Sequence, residues 1–213
     1  METRLSQDRP GLVTALGRNP VLVGLPGAGK SSVGKRLATR LGVPFVDADT
    51  EIEKAAGMTI DEIFKMHGEP AFRDGEARVI ARLVQAGPHV IATGGGAFMR
   101  ADTRAAIAEG GIAVWLDAPT DVLIARIMRR DNRPLFHNVD PRQKLLDLRA
   151  IRDPHFAEAP VKVLSSAGPH DRVVNAIVRE LQRWADRQNG APSSSGGEPG
   201  SDAAPLPEPA VNS

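Results

Sequence analysis

The 213-residue sequence predicts an α/β fold, a parallel sheet covered by helices in three layers. Two observations carry this. Short apolar runs bounded by turn residues alternate with helical patterns, the signature of strands joined by helical crossovers. A glycine-rich stretch, "GLPGAGKSS" at 24–32, stands between the first such run and the first such helix.

In chain order, "PVLVGL" (20–25) is the first strand, "KSSVGKRLATRL" (30–41) the first helix and "VPFVDAD" (43–49) the second strand. Asp49 or Thr50 can cap a short helix over "EIEKAAG". Thr59 and Glu62 form a capping box that opens a long helix toward Gln85. "HVIAT" (89–93), "GIAVWLD" (111–117) and "VKVLS" (161–165) supply three more strands, each followed by a candidate helix. Pro119, Thr120 and Asp121 open a helix toward Arg130. The pattern then breaks into "RRDNRPLFHNVDP" (129–141), a polar, basic loop between two helices, of a length that in a compact domain is usually functional or mobile.

Length and a 41% hydrophobic content fit one globular domain at 19–186, with an N-terminal extension at 1–18 and a Gly/Pro/Ser/Ala-rich tail at 187–213. Such a tail cannot offset its ordering entropy and is expected to be disordered. A net charge of +1 gives no support to a nucleic-acid or membrane-surface partner. The lack of cysteine excludes disulfides, thiolate catalysis and Cys-ligated zinc, and fits a reducing compartment. Glu2 and Asp8 interrupt the amino-terminal stretch, no uncharged run reaches the roughly 18 residues a membrane span needs, and a cytoplasmic protein, a monomer, is expected. Scattered amino-terminal arginines leave an organelle transit peptide as the alternative. His67, His89, His137, His155 and His170 show no metal-ligand spacing.

Gly24, Gly29, Lys30 and Ser31 match G-x-x-x-x-G-K-[ST] in the strand–loop–helix context that gives this pattern its meaning. Backbone N–H groups of Gly27, Ala28, Gly29, Lys30, Ser31 and Ser32 are placed to cradle ATP phosphates. Lys30 reaches the β/γ oxygens, and the Ser31 hydroxyl ligates Mg²⁺. This is a P-loop NTPase pattern, and it leaves the phosphoryl acceptor open. Among GTPases, motor ATPases, helicases and small-molecule kinases, small size prunes the helicases and motors, which need further modules, and the chain shows neither a guanine-reading Asn-Lys-x-Asp nor an apolar strand ending in the Asp-Glu pair of many ATPases.

Asp47 and Asp49 fall at the carboxyl end of the second strand, the edge where open α/β sheets bind ligands. Residues two apart on a strand share a face, so both carboxylates can enter one site, one at the Mg²⁺ shell and one on a substrate hydroxyl. Arg73 and Glu76, three apart on a helix, form an ion pair that taken alone is a solvated surface pair. Arg152 is unremarkable in isolation. "ATGGGAF" (92–98) adds glycines that permit close backbone approach to a ligand at the same edge.

Together, "GLPGAGKSS", the "DAD" of Asp47–Asp49, "FRDGE", "GGG" and "RPL" resemble the shikimate kinase family in order and spacing, over roughly 20–181. The resemblance implies a nucleoside-monophosphate-kinase-like fold and transfer of the ATP γ-phosphoryl to the 3-hydroxyl of shikimate, in chorismate and aromatic amino-acid synthesis. It implies that Asp49, Arg73, Gly95 and Arg152 bind shikimate and that Ser31 with Asp47 serves Mg²⁺. It also implies that Arg133 is a lid arginine on the phosphates and Arg126 an adenine-side arginine. Lys30, Asp49 and Arg133 are then the catalytic set. The segment 121–152 holds eight Lys or Arg against four Asp, which suits a lid that closes over anions. Three features depart from the family pattern. Phe136 follows Leu135 where many members have leucine, "SSAGPH" (165–170) lacks the expected adenine-side arginine, and Phe156 stands where a tyrosine is common. Alternatives are a gluconate-kinase-like enzyme, and a non-catalytic relative that binds nucleotide or shikimate.

Overall fold

A computed structural model describes residues 12–129, 140–165 and 168–190. The sheet is five-stranded and wholly parallel. Its strands are β1 (Asn19–Val23), β2 (Phe45–Asp47), β3 (Val90–Ala92), β4 (Gly111–Asp117) and β5 (Val161–Leu164), in the order β2-β3-β1-β4-β5. Every residue of β1 and β3 is buried, so both sheet faces are covered, as uninterrupted apolar strands require.

The helices are α1 (Leu12–Leu16), α2 (Lys30–Leu41), α3 (Ala48–Ala56), α4 (Ile60–Gln85), α5 (Ala101–Gly110), α6 (Thr120–Met128), α7 (Pro141–Phe156) and α8 (His170–Gly190). α2 packs with α8, and α4 with α5. On α8, Val173, Val174, Ile177 and Leu181 recur at helical spacing and are all buried. Leu12 and Val13 of α1 also enter the core. The ordered elements thus begin before residue 19 and run past 186, wider on both sides than the domain read from the sequence. The rest of the two terminal segments lies outside the described residues. Among the described residues no helix is long and apolar enough to cross a membrane.

Register brings the site together. Leu22 of β1 pairs with Ala92 of β3 and Val114 of β4, and Ala92 pairs with Asp47 of β2. The carboxyl ends of β1, β2 and β3 are therefore level, and the loops that leave them share one rim.

Two elements differ from the sequence reading. The Thr59 capping box is present, with Glu62 N–H donating to Thr59 Oγ1 at 3.3 Å and Thr59 N–H to Glu62 Oε2 at 2.7 Å. The helix it opens is two segments joined at Gly68, whose φ of 77° no helix accommodates, and Pro70 follows without an N–H to donate. β2 stops at Asp47, two residues short of the predicted strand, because the chain turns into α3 there.

Candidate active site

The loop after β1 is shaped by its glycines. Gly24, at φ 139°, lies so close to β4 that a Cβ there would stand 2.5 Å from the Leu116 carbonyl oxygen. Gly29, at φ 95°, is the N-cap of α2 and offers no side-chain acceptor, so the first-turn N–H groups face the loop without a side-chain cap. With the helix dipole behind them, they can hold an anion. Lys30 Nζ donates to the carbonyls of Gly24 (2.8 Å) and Leu25 (3.2 Å), which holds the ammonium across the loop. Arg126, on α6, crosses from the other side. Its Nη1 donates to Ser165 Oγ at 3.0 Å and to the Gly27 and Ala28 carbonyls at 3.4 Å. Ser165 thus partners Arg126 at the start of the segment where an arginine of its own was expected.

The acid pair is arranged differently from the strand reading. Asp47 is the N-cap of α3: its Oδ1 accepts from the Asp49 N–H at 3.2 Å, and its Oδ2 from Ser31 Oγ at 2.8 Å. Asp49 sits in the first helical turn. The two carboxylates converge through a strand-to-helix turn, and Asp47 is the cap that the sequence reading gave to Asp49 or Thr50. Burial, then the charges of Asp47 and Glu76, push the Asp49 pKa up to about 6 against the pull of Lys30. Ser31 and Asp47 offer hard oxygen donors beside the phosphate loop, a set that fits Mg²⁺ completed by phosphate oxygens and water. Among the described residues no group of three or more His, Cys, Asp or Glu forms a cation site by itself.

The arginines meet at the glycine turn. Arg73 Nη1 donates to Glu76 Oε2 at 2.6 Å, and the Glu76 side chain is 2% exposed. This corrects the reading of a solvated surface pair. Burial lifts the Glu76 carboxyl above its ordinary range, and Arg73 draws it back in part. Burial lowers the Arg73 pKa, but the hydrogen bonds it donates to Glu76 and Glu69, with their charges, outweigh it and leave the group above its ordinary value. Arg152, on α7, donates to the Gly95 carbonyl at 2.9 Å. One turn earlier, Arg149 ties α7 to the end of β4 through Asp117 (3.0 Å) and the Ala118 carbonyl.

Gly94, Gly95 and Gly96 serve the protein's own side chains. A Cβ at Gly94 would lie 3.0 Å from both Asp49 Oδ1 and Glu76 Oε1. At Gly95 it would lie 3.1 Å from Pro26 Cδ, and at Gly96 2.8 Å from Arg73 Nη2. The sequence reading assigned these glycines to a ligand's approach; they also admit two carboxylates and a guanidinium. Asp49, Arg73, Gly95 and Arg152 are thus brought to one rim, beside the loop of Gly27–Ser32. Arg133 lies outside the described residues. Phe72 is buried, 4.6 Å between ring centroids from Phe64, and Phe156 stacks between Phe98 and Trp115 in the core, where a hydroxyl would find no solvent. Glu69, the second partner of Arg73, escaped the sequence reading although its i,i+4 spacing signals it.

A phosphate loop after the central strand of a parallel sheet, with a raised-pKa carboxylate and two fixed guanidinium groups on the same rim, defines a P-loop small-molecule kinase. A family model described as shikimate kinase matches residues 26–182. A shikimate kinase of Rhodopseudomonas palustris is 55% identical over 174 residues, 81% of this chain and 86% of that one. One of Caulobacter vibrioides is 56% identical over 163 residues, 76% and 82%. The structure of an Acinetobacter baumannii shikimate kinase in complex with shikimate superposes with a TM-score of 0.74 at 38% identity, covering 80% of this chain and 97% of that one. The chain belongs to the shikimate kinase family.

Proposed function

We propose that the protein phosphorylates the 3-hydroxyl of shikimate with ATP, and that the residues above carry the reaction. The observation that supports it most is the convergence of Asp49, Arg73 and Arg152 on the Gly94–Gly96 turn, beside a loop built for a triphosphate. A hydroxylated carboxylic acid matches this set. Two guanidinium groups, each fixed by a second contact, suit its carboxylate, and a carboxylate poised near neutrality suits its reacting hydroxyl.

In this reading Arg73 and Arg152 grip the acceptor's carboxylate and so orient its ring. Asp49 accepts the hydroxyl proton as the oxygen attacks the γ-phosphorus and the bond to the β-phosphate oxygen breaks, releasing ADP. Lys30 leaves the Gly24 and Leu25 carbonyls for the transferring phosphoryl, and Arg126 covers the nucleotide side. Ser31 and Asp47 would hold Mg²⁺, which neutralises phosphate charge when bound. Arg133 is assigned to the lid on the resemblance alone.

The test is ADP release measured by a coupled assay across shikimate, gluconate and nucleoside monophosphates. ADP release that depends on shikimate and not on the others is expected. Release with gluconate instead would shift the acceptor to a polyol acid, and shikimate binding without release would make the chain a non-catalytic binder.

A further inference from the structure

Arg73 has its guanidinium edges taken before any acceptor arrives. Its Nη1 donates to the buried Glu76, and its Nε and Nη2 both donate to Glu69 Oε1 at 3.2 Å. The two glutamates are not alike. Glu76 is enclosed, whereas the Glu69 side chain is 64% exposed. Glu69 also stands directly after Gly68, where α4 breaks, so it opens the second segment of that helix. Its charge reaches further than one partner: Arg73 and Arg152 repel each other, and Glu69 and Glu76 both draw on Arg152. An arginine edge binds one carboxylate well, and here the exposed edge is held by an internal one.

We propose that Glu69 sets the affinity of this site, its carboxylate standing in on Arg73 for the carboxylate of the acceptor and yielding that edge when the acceptor binds. The inference rests on shikimate being the acceptor. Glu69 supplies the negative charge that keeps two converging guanidinium groups compatible in the free protein, and the acceptor supplies it afterwards. Every anion that seeks Arg73 must displace it, so the site gives up affinity and stays clear of small free anions. An exposed ion pair is weak enough to be exchanged, and a buried one is not, which separates Glu69 from Glu76.

The test is calorimetric titration of shikimate into the wild type and Glu69→Gln, with steady-state kinetics beside it. The glutamine keeps the size and loses the charge. Its Kd for shikimate is expected to fall about two- to fivefold, the scale of an exposed charge pair. The change should appear in KM rather than in kcat, and competitive inhibition by acetate and benzoate should strengthen in parallel. The gap between the two proteins should narrow at high ionic strength, which a merely structural effect would not produce. Glu69→Asp, charged but shorter, should lie between them. Equal or weaker binding by Glu69→Gln, with the wild type binding shikimate normally, overturns the role given to Glu69 alone. A wild type that does not bind shikimate overturns the proposed acceptor, and this inference with it.

Discussion

Glu76 Oε2 accepts from Arg73 Nη1 at 2.6 Å from a position one helical turn further along and almost wholly buried. The carboxylate is an internal anchor, fixed by packing, and the guanidinium is the part that reaches the site. Glu76→Ala should therefore leave Arg73 charged but unaimed. We expect the KM for shikimate to rise at least tenfold with the KM for ATP little changed. Stability should fall by about 1.5 kcal/mol, the low end for a charged hydrogen bond, because Arg73 keeps partial access to water. Initial-rate kinetics and denaturant unfolding check the two parts, and an unchanged shikimate KM would remove the anchoring role.

In the proposed reaction Asp49, with its pKa of about 6, ties activity to pH. Only the ionised form can accept the hydroxyl proton, so kcat/KM for shikimate should fall about tenfold per pH unit below that value. The effect on stability has the opposite sense. The folded pKa lies above the ordinary value of 3.8, so the folded state holds this proton more tightly. That contribution is complete below the unfolded pKa and lost as pH rises through about 6. At pH 7.5 the ionised, half-buried carboxylate is a cost to folding. Asp49→Asn should accordingly lower kcat by roughly 10²–10⁴ while raising the melting temperature. A mutant that is inactive and less stable than the wild type at that pH would contradict this.

Much of this was legible in the chain. Five apolar runs became five parallel strands: β1 and β3, buried along their whole length, carry no polar alternation to obscure them, the β5 run reads as a strand although Lys162 and Leu164 face outward, and the phosphate loop declared itself by spacing and context. The acid pair was legible as chemistry and misread as geometry. "DAD" satisfies a strand period as well as a cap followed by a first turn, and only the packing of Ala48 beneath the turn decides between them. The break at Gly68 was missed because the Thr59 box and the apolar positions on either side continue one helical pattern. Burial of Glu76 was out of reach as well, since three-residue spacing makes an ion pair equally well on a wet face or a dry one.

Ser31 and Asp47 meet at 2.8 Å between the start of α2 and the end of β2, and Asp47 has a second task in capping α3. The cap and the proposed Mg²⁺ role separate by substitution. Asp47→Asn keeps a cap acceptor and loses the charge, so it should fold as the wild type does and need at least tenfold more Mg²⁺ for half-maximal rate. Asp47→Ala should show the same Mg²⁺ defect and lose about 1 kcal/mol of stability with the cap. Ser31→Ala should raise the Mg²⁺ requirement alone. Mg²⁺ titrations at saturating ATP and shikimate, with melting curves for each variant, distinguish these outcomes, and a normal Mg²⁺ dependence in all three would place the ion elsewhere.

Gly24 and Gly96 are both crowded, but against different neighbours, and alanine should read the difference. At Gly96 a Cβ would meet Arg73 Nη2 at 2.8 Å, the far end of a flexible side chain that can move aside. Gly96→Ala should fold and push Arg73 from its place beside Glu76, losing about 1.5 kcal/mol as Glu76→Ala does, raising the KM for shikimate and leaving that for ATP. At Gly24 the neighbour is the Leu116 carbonyl oxygen at 2.5 Å, backbone in the adjacent strand, and φ is 139°. Neither can yield cheaply, so Gly24→Ala should lose several kcal/mol and compromise nucleotide binding with the fold. Melting temperatures beside the two KM values decide it. A stable Gly24→Ala, or a Gly96→Ala whose shikimate KM is unchanged, would show that the rim adapts more freely than these contacts require.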